Sequence, residues 1–313
     1  MASALHVEGG FKMKHTKMSS EISTLERTRN RKRNLIPALT MAGPVTIWMM
    51  VFVLLPLIYV VFISFMQRNT FGGIDYHFTT ANYTEILQPV YLKVIWKSIK
   101  LAFLTTAICI LIGYPLAYYI ARKPSKLAAK LLMLIMIPFW TNTLVRLYSI
   151  NLIGQPNGFL SSFLMKIGMI SKPLDILYSD GIVVVGLLIS MLPFAILPLY
   201  ASIEKLDKAY LEASSDLGAR PAVTFLRITV PLTLPGIVAS VILVFIPSLG
   251  MYYVPEALGG GKVMLIGSLI RNQFLITKNW PFGASLSILL VLITLLMLWL
   301  YTRIAKLDEM EVV

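Results

Sequence analysis

The residue types that carry most enzyme chemistry are sparse in this chain and badly spaced for it. Its three histidines, His6, His15 and His77, lie far apart, and its one cysteine, Cys109, sits in an apolar run. That leaves no acid–base dyad, no thiol cluster for a metal and no intrachain disulfide, so catalytic residues, metal ligands and a bound cofactor are all expected to be absent. The stretch LGGGKV, residues 258–263, has a superficial likeness to a phosphate-binding loop. Yet Glu256 stands where the first glycine of such a loop belongs, and Val263 where a serine or threonine would hold magnesium. It reads as a flexible glycine turn. The polar segment that stands out is LEASSDLGARPAVTFLRITVPLTLPGI, Leu211 to Ile237, a charged and proline-punctuated insert between two long apolar runs. Its chemistry suits docking better than bond breaking.

The bulk composition says where that docking takes place. Of 313 residues 57% are hydrophobic and only 14% charged, too few polar groups to cover a water-facing surface. The chain reads as an integral membrane protein. Its net charge of +13 would suit nucleic acid in a soluble protein, but in a bilayer protein basic residues mark loops that meet anionic headgroups. Membrane lipid, and not nucleic acid, is the expected partner for that charge.

Six charge-poor stretches are long enough to cross about 30 Å of hydrocarbon. They fall near residues 42–66, 99–121, 127–150, 181–203, 232–254 and 282–303, all with helical and not alternating patterns. The third carries Arg146 near its far end. In a six-span arrangement most of the 28 Lys and Arg collect on one side, which is then the cytoplasm and holds both termini. Residues 1–36, polar, basic and without apolar periodicity, read as a disordered cytosolic tail ahead of a membrane domain over 37–313. The apolar run after the tail is too long for a signal peptide and stays as an anchor. In one outer loop, Phe159, Phe163, Ile167 and Ile170 recur at helical spacing and predict an interfacial helix.

The insert then lies on the cytosolic side between the fourth and fifth spans, at about 204–231. Asp207 suits an N-cap, Lys208 to Leu217 are mostly good helix formers, and Gly218 can take the left-handed conformation that stops a helix. Pro221 fits the first turn of a second helix. Two short helices hinged at Gly218 and Ala219 are predicted. Such an element either docks in a groove of a cytosolic partner or is an idle hairpin.

Glu212, Ala213, Ser214 and Gly218, followed by Ile228 and Pro231, resemble the EAA motif of ABC-importer permeases. Ser214 stands in place of the second alanine and Val230 in place of a leucine, both small departures. Beyond the tail, almost the whole chain is similar to the permease family of spermidine/putrescine importers, through IPFWTNTLVRLYS, LPLYASIEKLDKAYLEAS, VPLTLPGI and the FGAS that follows NW. The resemblance implies an all-α integral membrane protein with six transmembrane helices and the type I ABC-importer permease fold, in the inner membrane. It also implies that the insert is a coupling helix seated in the groove of a cytosolic ATPase, present in two copies. A second homologous permease and an external polyamine-binding protein complete the set, and ATP hydrolysis belongs to the ATPase chain.

A polyamine leaves water cheaply only where carboxylates and aromatic faces replace its hydration. Tyr252, Tyr253 and Glu256 offer that set at the outer end of span five, where Pro247, Gly250 and Pro255 interrupt the helix. The same three residues would equally make an interfacial aromatic belt with a solvated glutamate. Trp140 and Asn142, beside Pro138 in span three, either line the path or hold helices together. Arg146 should repel a polycation, and is expected to snorkel or to pair with a carboxylate. Tyr114, Tyr118 and Tyr119, near Pro115 toward the cytosolic end of span two, read as packing or belt residues, with the path as the alternative. Other readings of the whole are a permease for another small solute, or a stand-alone channel or ion-driven carrier.

Overall fold

The computed structural model describes residues 43–174 and 176–310, with side chains as far as Arg303. The tail expected over 1–36 lies outside the described residues. The chain divides into two units at Val60 and Val61. The first contributes most of helix α1 (Gly43–Ser64), an apolar span whose Ile47, Trp48, Leu55 and Ile58 stand exposed, as side chains facing lipid would. Trp48 stacks on Phe52 with ring centroids 4.1 Å apart.

The second unit opens with a short antiparallel hairpin, β1 (Met66–Arg68) and β2 (Ile74–Phe78), turned by the glycine pair Gly72 and Gly73. This hairpin is an addition to the all-helical expectation. It is pinned to the chain far ahead: Arg68 Nη2 donates to the Thr277 carbonyl at 2.8 Å, and the Gly73 N–H to the Lys278 carbonyl at 2.8 Å. Helices α2 (Ala81–Ile86) and α3 (Pro89–Ala121) follow. With Pro89 at its start, α3 begins ten residues before the predicted span.

Next come α4 (Ser125–Met136), a 3₁₀ turn (Ile137–Trp140), α5 (Thr143–Gly154) and α6 (Phe159–Lys166). The third span expected over 127–150 is a broken one, its two parts, Ser125–Trp140 and Thr143–Lys166, meeting at 83°. Pro138 withholds an N–H from the ladder, the chain tightens to 3₁₀ and then extends at Thr141. Asn142 restarts the helix as N-cap of α5, its Oδ1 accepting from the Leu144 N–H at 2.8 Å. The interfacial helix predicted in the next loop is α6, with Phe159 stacked on Phe163.

Helix α7 (Asp180–Glu204) is capped by Ser179 and has Asp180 in its first turn. After it run α8 (Lys208–Asp216), α9 (Pro221–Thr224), one π turn (Phe225–Thr229), α10 (Val230–Leu232) and α11 (Leu234–Gly250). Then come α12 (Tyr253–Gly259), α13 (Ile266–Leu275) and α14 (Trp280–Met310). The fifth span is also bent, by 65° where α10 meets α11. Helices α1, α3, α7 and α14 are long and apolar enough to cross alone, and the count reaches six when each bent pair is one span.

Helices α3, α7 and α11 form the centre of this unit, and their contacts are made by small residues. Cys109, Ala117, Ala195 and Ser240 are fully buried there, and Ser240 Oγ donates across to the Ala195 carbonyl at 2.9 Å. Near the start of α11 the backbone of Gly236 lies so close to α7 that a Cβ would fall 2.4 Å from Ser202 Cβ and 2.9 Å from the Pro198 carbonyl. At the opposite end, Lys97 and Asp180 pair at 2.6 Å, joining α3 to α7. At the next residue, Ser98 Oγ accepts the Ile266 N–H at 2.8 Å, so a side chain of α3 caps α13.

The crossing of α7 and α11 has no room for a methyl group. Gly236→Ala is expected to destabilise the protein by about 1–3 kcal/mol through overpacking. The measurement is the thermal midpoint in detergent, against Gly43→Ala as control, since nothing lies within 4 Å of a Cβ there. Equal midpoints for the two variants would refute this account of the crossing.

Candidate functional site

The polar insert begins where α7 ends. Tyr200 donates its hydroxyl to Glu204 at 2.7 Å, and the chain turns to Asp207, whose Oδ1 accepts the Ala209 N–H at 3.0 Å and caps α8. Helix α8 stops at Gly218, which has φ of +74°, a left-handed conformation that costs glycine nothing. The Gly218 N–H bonds the Ser215 carbonyl and the Ala219 N–H the Ser214 carbonyl, closing the helix end. Pro221 then opens α9. The predicted caps, stop and restart all fall on the residues that the sequence indicates.

The two arms of this hinge are held by side chains. Ser214, only 4% exposed, has its Oγ 2.7 Å from Thr224 Oγ1, linking α8 to α9. The residue that departs from the EAA pattern is therefore the one that fastens the elbow. Glu212 and Ala213 are exposed. Glu212 borders a cavity of about 320 Å³ with Arg122, Lys208, Leu211 and Asp216.

Ile228 is half-buried in the π turn and Pro231 is exposed at the start of α10. Pro231 explains the turn: with no N–H to give, and a ring that crowds the carbonyl four residues back, it widens the coil. The Val230 N–H reaches back to the Phe225 carbonyl instead. Just beyond, buried Thr233 donates its hydroxyl to the Thr229 carbonyl at 2.7 Å and sits 2.7 Å from the Tyr114 hydroxyl of α3.

The second group of candidates lies at the other end of α3. Ser98, where α3 meets this group, and Arg122, beside the elbow, are 24 residues and hence about 36 Å apart along one helix. There α11 stops at Gly250, the backbone extends at Met251, and α12 carries Tyr253 and Glu256 with Tyr252 as its N-cap. Tyr252 and Tyr253 meet edge to face at 5.9 Å. Tyr252, Tyr253 and Glu256 are thus brought together.

They come with a cation that the sequence reading missed. Arg271, on α13, pairs with Glu256 at 2.9 Å and lies over the Tyr252 ring at 5.6 Å. Between α12 and α13 is a cavity of about 270 Å³ bordered by Glu256, Met264, Ser268, Arg271 and Asn272. No local signal gives Arg271, because its partner is fifteen residues away across a turn.

Trp140 and Asn142 occupy the break in span three. Asn142 has its Oδ1 engaged as the α5 cap, and Trp140 is 75% exposed. Arg146 lies over the Phe139 ring at 4.6 Å, and its Nε and Nη1 are buried without a hydrogen-bond partner. The expected carboxylate partner is not found for those two atoms among the described residues. In the segment 258–263 the glycines make the predicted turn, Gly260 and Gly261 having φ of +52° and +78°, while Leu258 and Val263 on either side are buried and the Leu258 carbonyl accepts the Tyr178 N–H at 3.1 Å.

Relatives of the chain share this plan. The family described as binding-protein-dependent transport system inner membrane component matches residues 110–307. The spermidine/putrescine transport system permease protein PotB of Escherichia coli strain K12 is 43% identical over 265 residues, 85% of this chain and 96% of that protein. PotB of Haemophilus influenzae is 42% identical over the same length, 85% and 93% of the two chains. Among solved structures, a chain from a bacterial ABC transporter involved in the import of the acidic polysaccharide alginate superposes with a TM-score of 0.72, at 16% identity, over 89% of this chain and 97% of that one. A chain of the MetNI methionine ABC transporter, in an inward-facing conformation, gives 0.51 at 18% identity, over 71% and 97%.

At 16% identity the likeness to the alginate importer establishes the type I ABC permease fold, and the family match and the PotB identities go further: this chain is an inner-membrane transport permease, not an enzyme, and belongs to the binding-protein-dependent transport system inner membrane component family.

Proposed function

We propose that the chain is the permease subunit of an ATP-driven polyamine importer, forming half of the path and coupling to a cytosolic ATPase through the loop at 204–231. Both termini and that loop are then cytoplasmic. The assembly contains two ATPase copies, a second homologous permease and an external polyamine-binding protein, as ABC importers of this family require.

The observation that carries the coupling half is the elbow itself. A loop whose arms are capped by Asp207, stopped at Gly218 and fastened by Ser214 and Thr224 is stiff enough to transmit a push. It presents Glu212, Ala213 and the 88%-exposed Leu217 outward. An exposed carboxylate on one short helix and an exposed leucine just past its end suit a groove in a soluble partner. Ile228 and Pro231 set the exit from the loop into span five.

The cargo half rests on the seat around Glu256. A fold shared with an importer of an acidic polysaccharide leaves the sign of the cargo's charge to side chains. In this conformation the seat holds a cation already: the Arg271 guanidinium sits on the Glu256 carboxylate and on the Tyr252 face. A carboxylate with an aromatic wall is what an ammonium group needs on leaving water. Tyr253 adds a second ring, and the names of the 43%-identical relatives supply the class, spermidine and putrescine. Trp140 is kept as a path candidate by its exposure, and Asn142 as the residue that shapes the bend beside it.

Two measurements follow. In the reconstituted importer, Glu212→Ala is expected to weaken ATPase association and receptor-stimulated ATP turnover by about tenfold, the scale of one charge-assisted hydrogen bond; wild-type values for both would refute the coupling role. Glu256→Gln is expected to raise the spermidine concentration for half-maximal uptake by about tenfold, and a superimposable uptake curve would remove Glu256 from the path.

A further inference from the structure

The loop leaves its elbow by two routes, and they differ in stiffness. The covalent route to α11 runs through the π turn, where Pro231 removes a ladder hydrogen bond, and then through the 65° break at Thr233. Both are places where a helix yields. The second route leaves sideways. Ser214 on α8 bonds Thr224, and the next residue, Phe225, packs edge to face against two rings of α3: Tyr114 at 5.5 Å and 87°, and Tyr118 at 5.8 Å and 88°. Arg122 lies over Tyr118 at 4.5 Å, and the Tyr114 hydroxyl meets Thr233 at 2.7 Å. Every link on this route is a packed ring or a hydrogen bond, and it ends on a single 33-residue helix.

We infer that α3 receives the loop's motion directly, through Thr224 and Phe225 acting as positioning residues, in parallel with the covalent path into α11. The inference rests on the coupling reading proposed above. Close-packed contacts transmit displacement because compressing them costs more than moving the element they touch. A displacement of α8 therefore carries Phe225 against Tyr114 and Tyr118 before the π turn can pass it to α11. Helix α3 carries Pro115 between the two tyrosines, yet it stays one α-helix from that contact to Ser98, which caps α13, the helix bearing Arg271.

The test uses the complete importer in proteoliposomes, with ATPase, second permease and receptor, and reads spermidine accumulated per ATP hydrolysed. Thr224→Val, which keeps the side-chain volume, and Phe225→Leu are each expected to lower uptake per ATP by about threefold or more, and Phe225→Leu, which leaves the Ser214–Thr224 link intact, to do so with ATPase association and basal ATP turnover unchanged. Thr224→Ser and Phe225→Tyr, which restore the hydroxyl and the ring, should return it to the wild-type ratio. Tyr114→Leu with Phe225→Leu should be no worse than either alone. Should Phe225→Leu assemble poorly, the Thr224 pair of variants decides the matter. An unchanged ratio in Thr224→Val and Phe225→Leu, or a loss in the double variant equal to the product of the two singles, overturns the inference while the coupling reading stands. A wild-type assembly with no ATP-dependent uptake overturns the coupling reading itself, and the inference falls with it.

Discussion

A peptide group that leaves its helix inside hydrocarbon has no water to turn to, and that constraint shapes the breaks in the spans of this protein. An unpaired backbone group there costs on the order of several kcal/mol, so each departure from regular helix has to bring its own replacement. At the bend of span three, Thr141 donates to the Pro138 carbonyl and Asn142 takes the Leu144 N–H. At the entry to span five, the π turn lengthens one bond to the Phe225 carbonyl, and Thr233 supplies its hydroxyl to the Thr229 carbonyl. Below α12, Ser268 serves the Tyr252 carbonyl. Small polar side chains stand at the breaks because they fit where ladder bonds are missing.

The same constraint separates the two working ends. The polar elbow and the Glu256 cluster each need broken helices, and a break weakens a span as a lever. They are therefore placed at opposite ends of a centre whose α3 and α7 run unbroken, tied near their starts by Lys97 with Asp180. The exposure of that pair, 31% and 52%, keeps its stability contribution within about 0–1 kcal/mol. Its place in the structure is to hold two helix ends in register. Helix α3 touches the loop through Tyr114 and Tyr118 and touches α13 through Ser98, so one rigid element borders both sites.

Much of this was legible in the residues. Asp207, Gly218 and Pro221 mark the elbow because capping, left-handed turning and helix initiation are local matters, settled within four residues of chain. The six apolar stretches likewise follow from composition and length. What was not legible depends on residues distant in sequence. In the sequence Ser214 is a small departure from a motif, and only the fold sets Thr224 beside it; Glu256 is grouped with Tyr252 and Tyr253 there, and only the fold brings Arg271 onto it. The bend at Thr141 was foreshadowed by Pro138, but a proline in an apolar run is compatible with a kink or a full break. Only the packing of α5 against α12, where Asn151 donates to the Ala257 carbonyl at 2.9 Å, decides between them. The hairpin at 66–78 has strands of three and five residues, too short for an alternating pattern to register.

The account turns on the elbow facing the compartment that holds the ATPase. Leu217 is 88% exposed at its tip, and Cys109, the chain's one cysteine, is fully buried. The most direct measurement labels Leu217→Cys with a membrane-impermeant thiol reagent in right-side-out and inverted vesicles, with and without the ATPase. The account predicts labelling in inverted vesicles only, and protection when the ATPase is bound. Labelling from the outer face, or inverted-vesicle labelling that the ATPase leaves untouched, would contradict it.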